Sequence, residues 1–506
     1  MLERAPNIVF LSDFLSPAQR ADAAASYPRL DVASAFQSAI DATAPSATLY
    51  VEPGLKLRVR SGLQINRPLT LRGCGATIVF DFPASTGTSA GGLINVAASN
   101  VTIEGLSVVG ERPTFGVAVA NRYAVLCRSG RTRYTDLTVR HCRFENLMQC
   151  AGEIPATSTA SHAIYLRGVD RPTVHDTAFE SLSGGGVYLF DTAEASVRGN
   201  RFARFGWSGI CVHHSNCRST IDNNSFSDTT PSNPSYWGAA IDVMGQTADE
   251  SPPGEPDQDG RIVGNRFIGG VYRYGQVVRL SSARSVVVQG NIFDGCDAEN
   301  NSRADATPGS SGPGGQNNCV TLTVRDVTRS NGPHKRITIR NNTFIAAGAG
   351  HQKGIYAITT SGTKANRTPC EDLLVEGNVF VCPDAANYFG ANLTVHGFAA
   401  GYRRIQVRSN RFAGDSNSNP NYRPGGVPGL VVFMSDSLTD VEGVVVEANS
   451  FDCRSRGLAQ RVPIGVNIQP NVTRVVLHDN RFVSDGSHLV DPGNRGTVEI
   501  DGPTNR

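Results

Sequence analysis

Several features that would place a protein quickly are scarce in this chain of 506 residues. No apolar run approaches the roughly 20 residues that span a bilayer. The first residues, MLERAPNIVFLSDFLS, lack a basic segment followed by a long apolar one, so neither membrane insertion nor a secretion signal is expected. Lys+Arg 47 against Asp+Glu 45 leaves a formal net charge of +2, which removes any general attraction to nucleic acid or anionic membranes. Eleven cysteines, an odd number, run from Cys74 to Cys453 with no CxxC pair and no zinc-type spacing. A disulfide framework and a structural metal are therefore not expected, and the thiols should be reduced and mostly buried.

What the chain has in quantity is glycine and proline, 53 and 27 residues, beside 40% hydrophobic residues. That combination buries a large core yet carries too many turn-formers for a mostly helical protein. Length alone predicts about three or four globular units, but an internal repeat replaces that expectation. A segment of the form β-branched, x, x, Asn, x, Phe ends at Phe202, Phe226, Phe267, Phe293, Phe344, Phe380, Phe412, Phe451 and Phe482. Degenerate copies end at Phe144 and Phe179, with VTIEGL near Leu106 as a further one. Successive spacings from Phe144 are 35, 23, 24, 41, 26, 51, 36, 32, 39 and 31 residues, which is one coil size near the minimum plus loop insertions.

Between most copies lies a second short run with period-2 apolar residues, among them HAIYLRG from His162, GGVYLFD from Gly185, SGICVHHS from Ser208, GAAIDVMG from Gly238 and GQVVRLSS from Gly275. Such runs between Gly, Asn and Ser clusters read as strands. The fold class is therefore all-β, a right-handed single-stranded parallel β-helix whose coils stack about 4.8 Å apart. Recurring Asn side chains would form a hydrogen-bonded ladder and the Phe rings an internal stack. A leucine-rich repeat is the rival at this period, but its LxxLxL signature is absent. DVASAFQSAIDA places Val32, Phe36 and Ile40 on one helical face with Asp31 as N-cap, a single helix suited to cap the first coil. The expected layout is an N-terminal segment with cap helix over 1–60, the β-helix over 61–490 and a tail over 491–506.

The order DVASAFQSAIDA, LYVEPG, LQINRPLTLRGCGATIVF and then the NxF coils resembles the pectate lyase superfamily of right-handed parallel β-helices. The stretch LSDFLSPAQRADAAASYPRLDVASAFQSAIDA resembles the segment that opens the β-helix in many bacteriophage tailspike proteins. The resemblance implies a rod that binds an extended bacterial polysaccharide along its side and cleaves it, by hydrolysis or elimination. It further implies a homotrimer and a virion-associated or extracellular location. The virion-attachment region that normally precedes a tailspike β-helix is not seen. The NTD, DD, GHG and RIK motifs of polygalacturonases are absent, so no catalytic residue carries over from that family.

Register alone places a candidate site. In the second strand the pairs Ile164/Leu166, Val187/Leu189, Ile210/Val212, Ile241/Val243, Val278/Leu280, Val320/Leu322 and Ile355/Ala357 should point inward, so the residues between them point out. Down the rod these are Tyr165, Tyr188, Cys211, Asp242, Arg279, Thr321 and Tyr356, with His213 on the same outward face. Asp242, His213 and Arg279 form an acid, base and cation cluster, with an exposed surface ion pair as the plain alternative. Trp207, Trp237 and Tyr274 precede this strand on consecutive coils and predict a row of aromatic faces for sugar rings, with Tyr165, Tyr188 and Tyr356 as further substrate-binding candidates. Hydrolysis would need a second carboxylate, Asp191 or one from the acidic loop QTADESPPGEPDQDG. Elimination would need a base and a cation, His213 with Arg279, or the later set His351, Lys353 and Tyr356. No metal or other cofactor is expected, since the acidic loop matches no calcium pattern. A pectate lyase-like lyase or epimerase acting on a free uronate polymer, and a non-catalytic polysaccharide-binding adhesin, are the competing readings.

Overall fold

In the computed structural model the described residues are 7–80, 91–110, 122–130, 132–147, 162–182, 184–205, 208–213, 217–227, 239–244, 259–269, 276–281, 283–296, 317–325, 334–345, 352–360, 369–381, 389–397, 401–414, 430–435, 440–453, 464–469, 471–483, 488–490 and 498–501. They form short parallel strands in two long sheets, the architecture of a right-handed parallel β-helix. The chain divides into two compact units, Met1–Cys211 with Asn216–Trp237, and Val212–Ser215 with Gly238–Arg506. The division falls inside the stretch expected to be one β-helix.

Each regular coil contributes two strands to the first sheet and one to the second. The coil around Phe202 is typical: Ser196–Arg198, a corner at Gly199 and Asn200, then Arg201–Phe205. The corner explains the repeat. The residue before each Asn has a positive φ, as at Gly199 (63°), Asn223 (54°), Gly264 (64°), Asn341 (53°) and Asp479 (53°). Gly, Asn and Asp are the residues that enter this left-handed region most readily.

The corner asparagines form the ladder, and its bonding is complete. In the second unit, Asn342 Nδ2 donates to the Val288 carbonyl at 3.0 Å, while its Oδ1 accepts from the backbone N–H of Asn291 at 2.9 Å. The pattern runs on from Asn342 through Asn378, Asn410 and Asn449 to Asn480. Buried amides are stable only when their donors and acceptors are used, and here each coil satisfies the next. In the first unit the ladder tapers: Asn200 accepts from the backbone of Thr177, and the Thr177 hydroxyl from that of Cys142. This accounts for the degenerate copies. The copy near Leu106 is displaced from its expected register, because Val108 pairs with Phe144 and Leu106 takes the corner position.

Phenylalanine rings stack inside the coils. Centroid spacings are 4.7 Å for Phe179–Phe202 and 4.8 Å for Phe202–Phe226, and in the second unit 4.8 Å for Phe293–Phe344 and 4.6 Å for Phe344–Phe380. The stack loosens toward its end, where Phe451–Phe482 is 6.3 Å. Every inward pair expected from the second strand is buried. Of the eight cysteines whose side chains are described, six are buried, Cys217 is intermediate and Cys74 exposed; all are free thiols.

The amino-terminal cap holds two helices rather than one. Helix α1, Pro17–Ala23, begins with a capping box between Ser16 and Gln19, a signal that sequence reading passed over. Helix α2, Ala33–Ala42, buries Val32, Phe36 and Ile40 as expected. Its N-cap is Val32, one residue later than expected; Asp31 still accepts from the Ala33 N–H at 3.0 Å. Strand Leu63–Ile65 is the edge of the second sheet, and α2 closes it. Gln37 gives its amide N–H to the Gln64 carbonyl at 3.1 Å and accepts from the Gln64 N–H at 2.8 Å. An edge whose backbone groups are taken in this way cannot recruit another strand.

Candidate functional site

The second sheet's outer face is where the two candidate clusters lie, one in each unit. In the second unit, strand Ile241–Met244 pairs with Gln276–Ser281 so that Asp242 stands opposite Arg279, as the register predicted. Arg279 forms a two-pronged ion pair with the carboxylate, Nε to Oδ1 at 2.7 Å and the terminal nitrogen to Oδ2. His213 Nε2 lies 3.4 Å from Oδ2. The cluster is not exposed, contrary to what an outward sheet position suggests. Asp242 is 0% exposed, His213 5% and Arg279 7%.

Burial by itself would raise the Asp242 pKa. The Arg279 charge and the His213 hydrogen bond outweigh it and hold the carboxyl well below the usual carboxylate range. Asp242 is therefore a fixed anion. It can orient an imidazole and a guanidinium, but it has no proton to give as a general acid. Asp191, the other candidate carboxylate, belongs to the first unit and lies in an ion pair with Arg133, at 3.1 Å from Nη1. Arg133 also binds Asp170.

The second cluster is aromatic and cationic. Tyr165 pairs with Tyr188 across strands His162–Arg167 and Gly185–Phe190, and their rings stack at 5.0 Å with 14° between planes. Tyr123 packs on Tyr165 at 4.9 Å. His162 meets Tyr188 edge-on at 4.8 Å and lies 3.4 Å from the Cys211 sulfur. The rings stack along the coil axis, so their faces are spent on one another. Tyr123 and Tyr165 are buried in this packing and Tyr188 is half-buried.

Two exposed arginines complete this surface. Arg128 stands opposite Arg167, and Arg167 opposite Phe190. Each guanidinium lies over the ring of the next coil, Arg128 5.7 Å from the Tyr165 centroid and Arg167 4.5 Å from that of Phe190. Neither is ion-paired among the described residues. Sequence reading missed both, along with Tyr123. The signal was present in HAIYLRG, since the alternation that turns Tyr165 outward turns Arg167 outward as well.

Trp207, Trp237, Tyr274, His351 and the acidic loop up to residue 258 lie outside the described residues. Lys353 and Tyr356 are on strand Gln352–Thr360, where Tyr356 pairs with Thr321 in the column that contains Arg279. Only their backbone is described.

Stacked parallel coils with two long parallel sheets define a right-handed parallel β-helix. The right-handed β-helix region family matches over residues 123–380, and the chain belongs to that family. No curated protein matches the chain. Among solved structures it is similar to PfbA, a surface adhesin of Streptococcus pneumoniae, at 13% identity with 98% of this chain and 96% of that one covered and a TM-score of 0.56. It is also similar to the tailspike protein of Escherichia coli bacteriophage HK620 in complex with a hexasaccharide, at 14% identity with 95% and 78% covered and a TM-score of 0.56. At these identities the likeness establishes the fold.

Proposed function

We propose that this protein binds an acidic bacterial surface polysaccharide along the outer face of the second sheet and depolymerises it, in the manner of a phage tailspike. The observation that carries the reading is the pair Arg128 and Arg167, two exposed like charges in register on adjacent coils. Like charges placed opposite one another destabilise a sheet, and a ligand with repeated carboxylates relieves that repulsion. The half-buried Tyr188 beside them is an amphipathic side chain of the kind that suits a sugar. The hexasaccharide held by the HK620 tailspike is consistent with a carbohydrate on this fold.

For the chemistry, elimination fits better than two-carboxylate hydrolysis, because the cluster joins one carboxylate to a histidine and an arginine, with no second carboxylate beside it among the described residues. His213 acts as base on the carbon next to a uronate carboxylate, and Asp242 positions it. The electron pair left on carbon forms the new double bond, and the glycosidic oxygen leaves with a proton from water. Arg279 supplies the positive charge near the developing anion. The second reading is a non-catalytic adhesin, favoured by the complete burial of Asp242; in that case the triad is structural.

The test is incubation with capsular, O-antigen and uronate polysaccharides, following reducing ends and the ultraviolet absorbance of unsaturated sugar. Both signals together, abolished in His213→Gln, are the expected result. Reducing ends without absorbance would replace elimination by hydrolysis. Retention of a polymer with neither signal would leave the adhesin.

A further inference from the structure

A second cluster of ligating side chains stands apart from the carbohydrate face, at the corner of the first sheet in the first unit. We propose that His141, His175 and Asp176 form a binding site for a divalent first-row metal ion, zinc above all, that ties two consecutive coils together. One ligand atom from each of the three residues lies within 4.8 Å of the other two. His175 Nδ1 is 2.8 Å from Asp176 Oδ2, and the His141 and His175 rings meet edge to face at 5.6 Å. Bonds of about 2.0–2.2 Å to zinc put neighbouring donors roughly 3 Å apart. The three donors, all within 4.8 Å of one another, stand near that spacing.

The backbone that carries them is fixed. His141 and Asp176 both occupy the left-handed corner position, with φ of 51° each. The His141 N–H donates to the His175 carbonyl at 3.2 Å, so the two corners are one rung apart. On the next coil Gly199 stands beside the carboxylate. A β-carbon there would come within 2.8 Å of Asp176 Oδ1, so glycine keeps the approach to that oxygen open. Two imidazoles and one carboxylate are a donor set suited to zinc, copper or nickel, with positions left over for water.

The chain contains its own control. The sequence His-Asp recurs at the same corner as His478 and Asp479, and there the Ala448 N–H donates to the His478 carbonyl at 3.2 Å. Ala448 thus stands where His141 stands. In that copy Asp479 lies on Nδ1 of His478, at 3.3 Å, and Glu447 on Nε2, at 2.8 Å. The two carboxylates sit on opposite nitrogens of the ring, so no single point faces three donors. The corner alone makes a His–Asp pair, and the stacked second histidine is what makes a chelate.

The experiment uses the full chain freed of metal by a chelator and titrated with zinc by calorimetry, with the zinc-induced rise in melting temperature as a second readout. His141→Asn retains a residue suited to positive φ, and His175→Gln retains a polar strand position. Saturable binding weakened at least tenfold in both variants and unchanged in His478→Ala is the expected result. Absence of saturable binding in the parent protein, or binding retained in either variant, overturns the proposal.

Discussion

Arginines in several columns of the first sheet and the Arg128–Arg167 pair of the second follow opposite rules. In those first-sheet columns, charge alternates from coil to coil. Arg72 and Arg140 flank Glu104, and the columns Lys335, Glu371, Arg403, Glu442 and Arg340, Glu376, Arg408, Glu447 do the same in the second unit. On the second sheet, Arg128 faces Arg167 with no carboxylate between them. A parallel solenoid brings every surface residue beside its equivalent about 4.8 Å away, so charge order within a column is a direct indication of what the column serves. Alternation stabilises the stack, while repetition of one sign leaves charge for a partner.

Buried polar groups divide in the same way. The corner asparagines recur from coil to coil, each amide satisfied by its neighbours. The cluster of Asp242, Arg279 and His213 occurs once, in a column whose other members differ. The repeat explains the first set and not the second.

The comparison can be broken at several points. Arg279→Ala should have the largest effect, because it leaves the buried Asp242 carboxylate unpaired, at a cost of about 3–5 kcal/mol; chemical denaturation reads it. Adding Asp242→Leu to Arg279→Met should recover most of that loss. The same carboxylate sets an acid limit. Its folded pKa is depressed, so its contribution is complete above the ordinary Asp value of about 3.9 and is lost as pH falls below that toward the folded value. Asp242→Asn should remove this part of the acid-side slope in denaturation midpoints.

Asn342→Ala should follow, at about 1–3 kcal/mol, since it strips buried partners from the Asn291 N–H and the Val288 carbonyl. Next come Arg128→Ala and Arg167→Ala, which should leave stability unchanged or slightly raised and weaken polysaccharide binding about tenfold each, or about 1.4 kcal/mol. The affinity they support should also fall with added salt. Arg404→Ala, removing an exposed pair with Asp372 at 2.6 Å, should change stability by no more than about 1 kcal/mol. It should not touch binding.

Much of the fold was legible in the sequence because a solenoid repeats its local rules. The Asn-x-Phe spacing specified ladder and stack, and strict alternation in GAAIDVMG and GQVVRLSS put Asp242 opposite Arg279. Three things escaped. Side-chain burial on the outer face depends on what lies over the sheet, which periodicity cannot report, so Asp242 was taken for a surface group. Ring packing depends on rotamers, so the stacking of Tyr165 on Tyr188 is not legible from the alternation. The like-charged pair of Arg128 and Arg167 shows only once the coils are in register, although the alternation that turns Tyr165 outward continues to Arg167.

Affinity of an acidic polysaccharide for the full chain, compared with the Arg128→Ala/Arg167→Ala double variant at low salt, tests the central claim most directly. If the two effects add, the double variant should bind roughly a hundredfold more weakly, with its melting temperature maintained. Equal retention by both proteins would contradict the assignment of this face to the ligand.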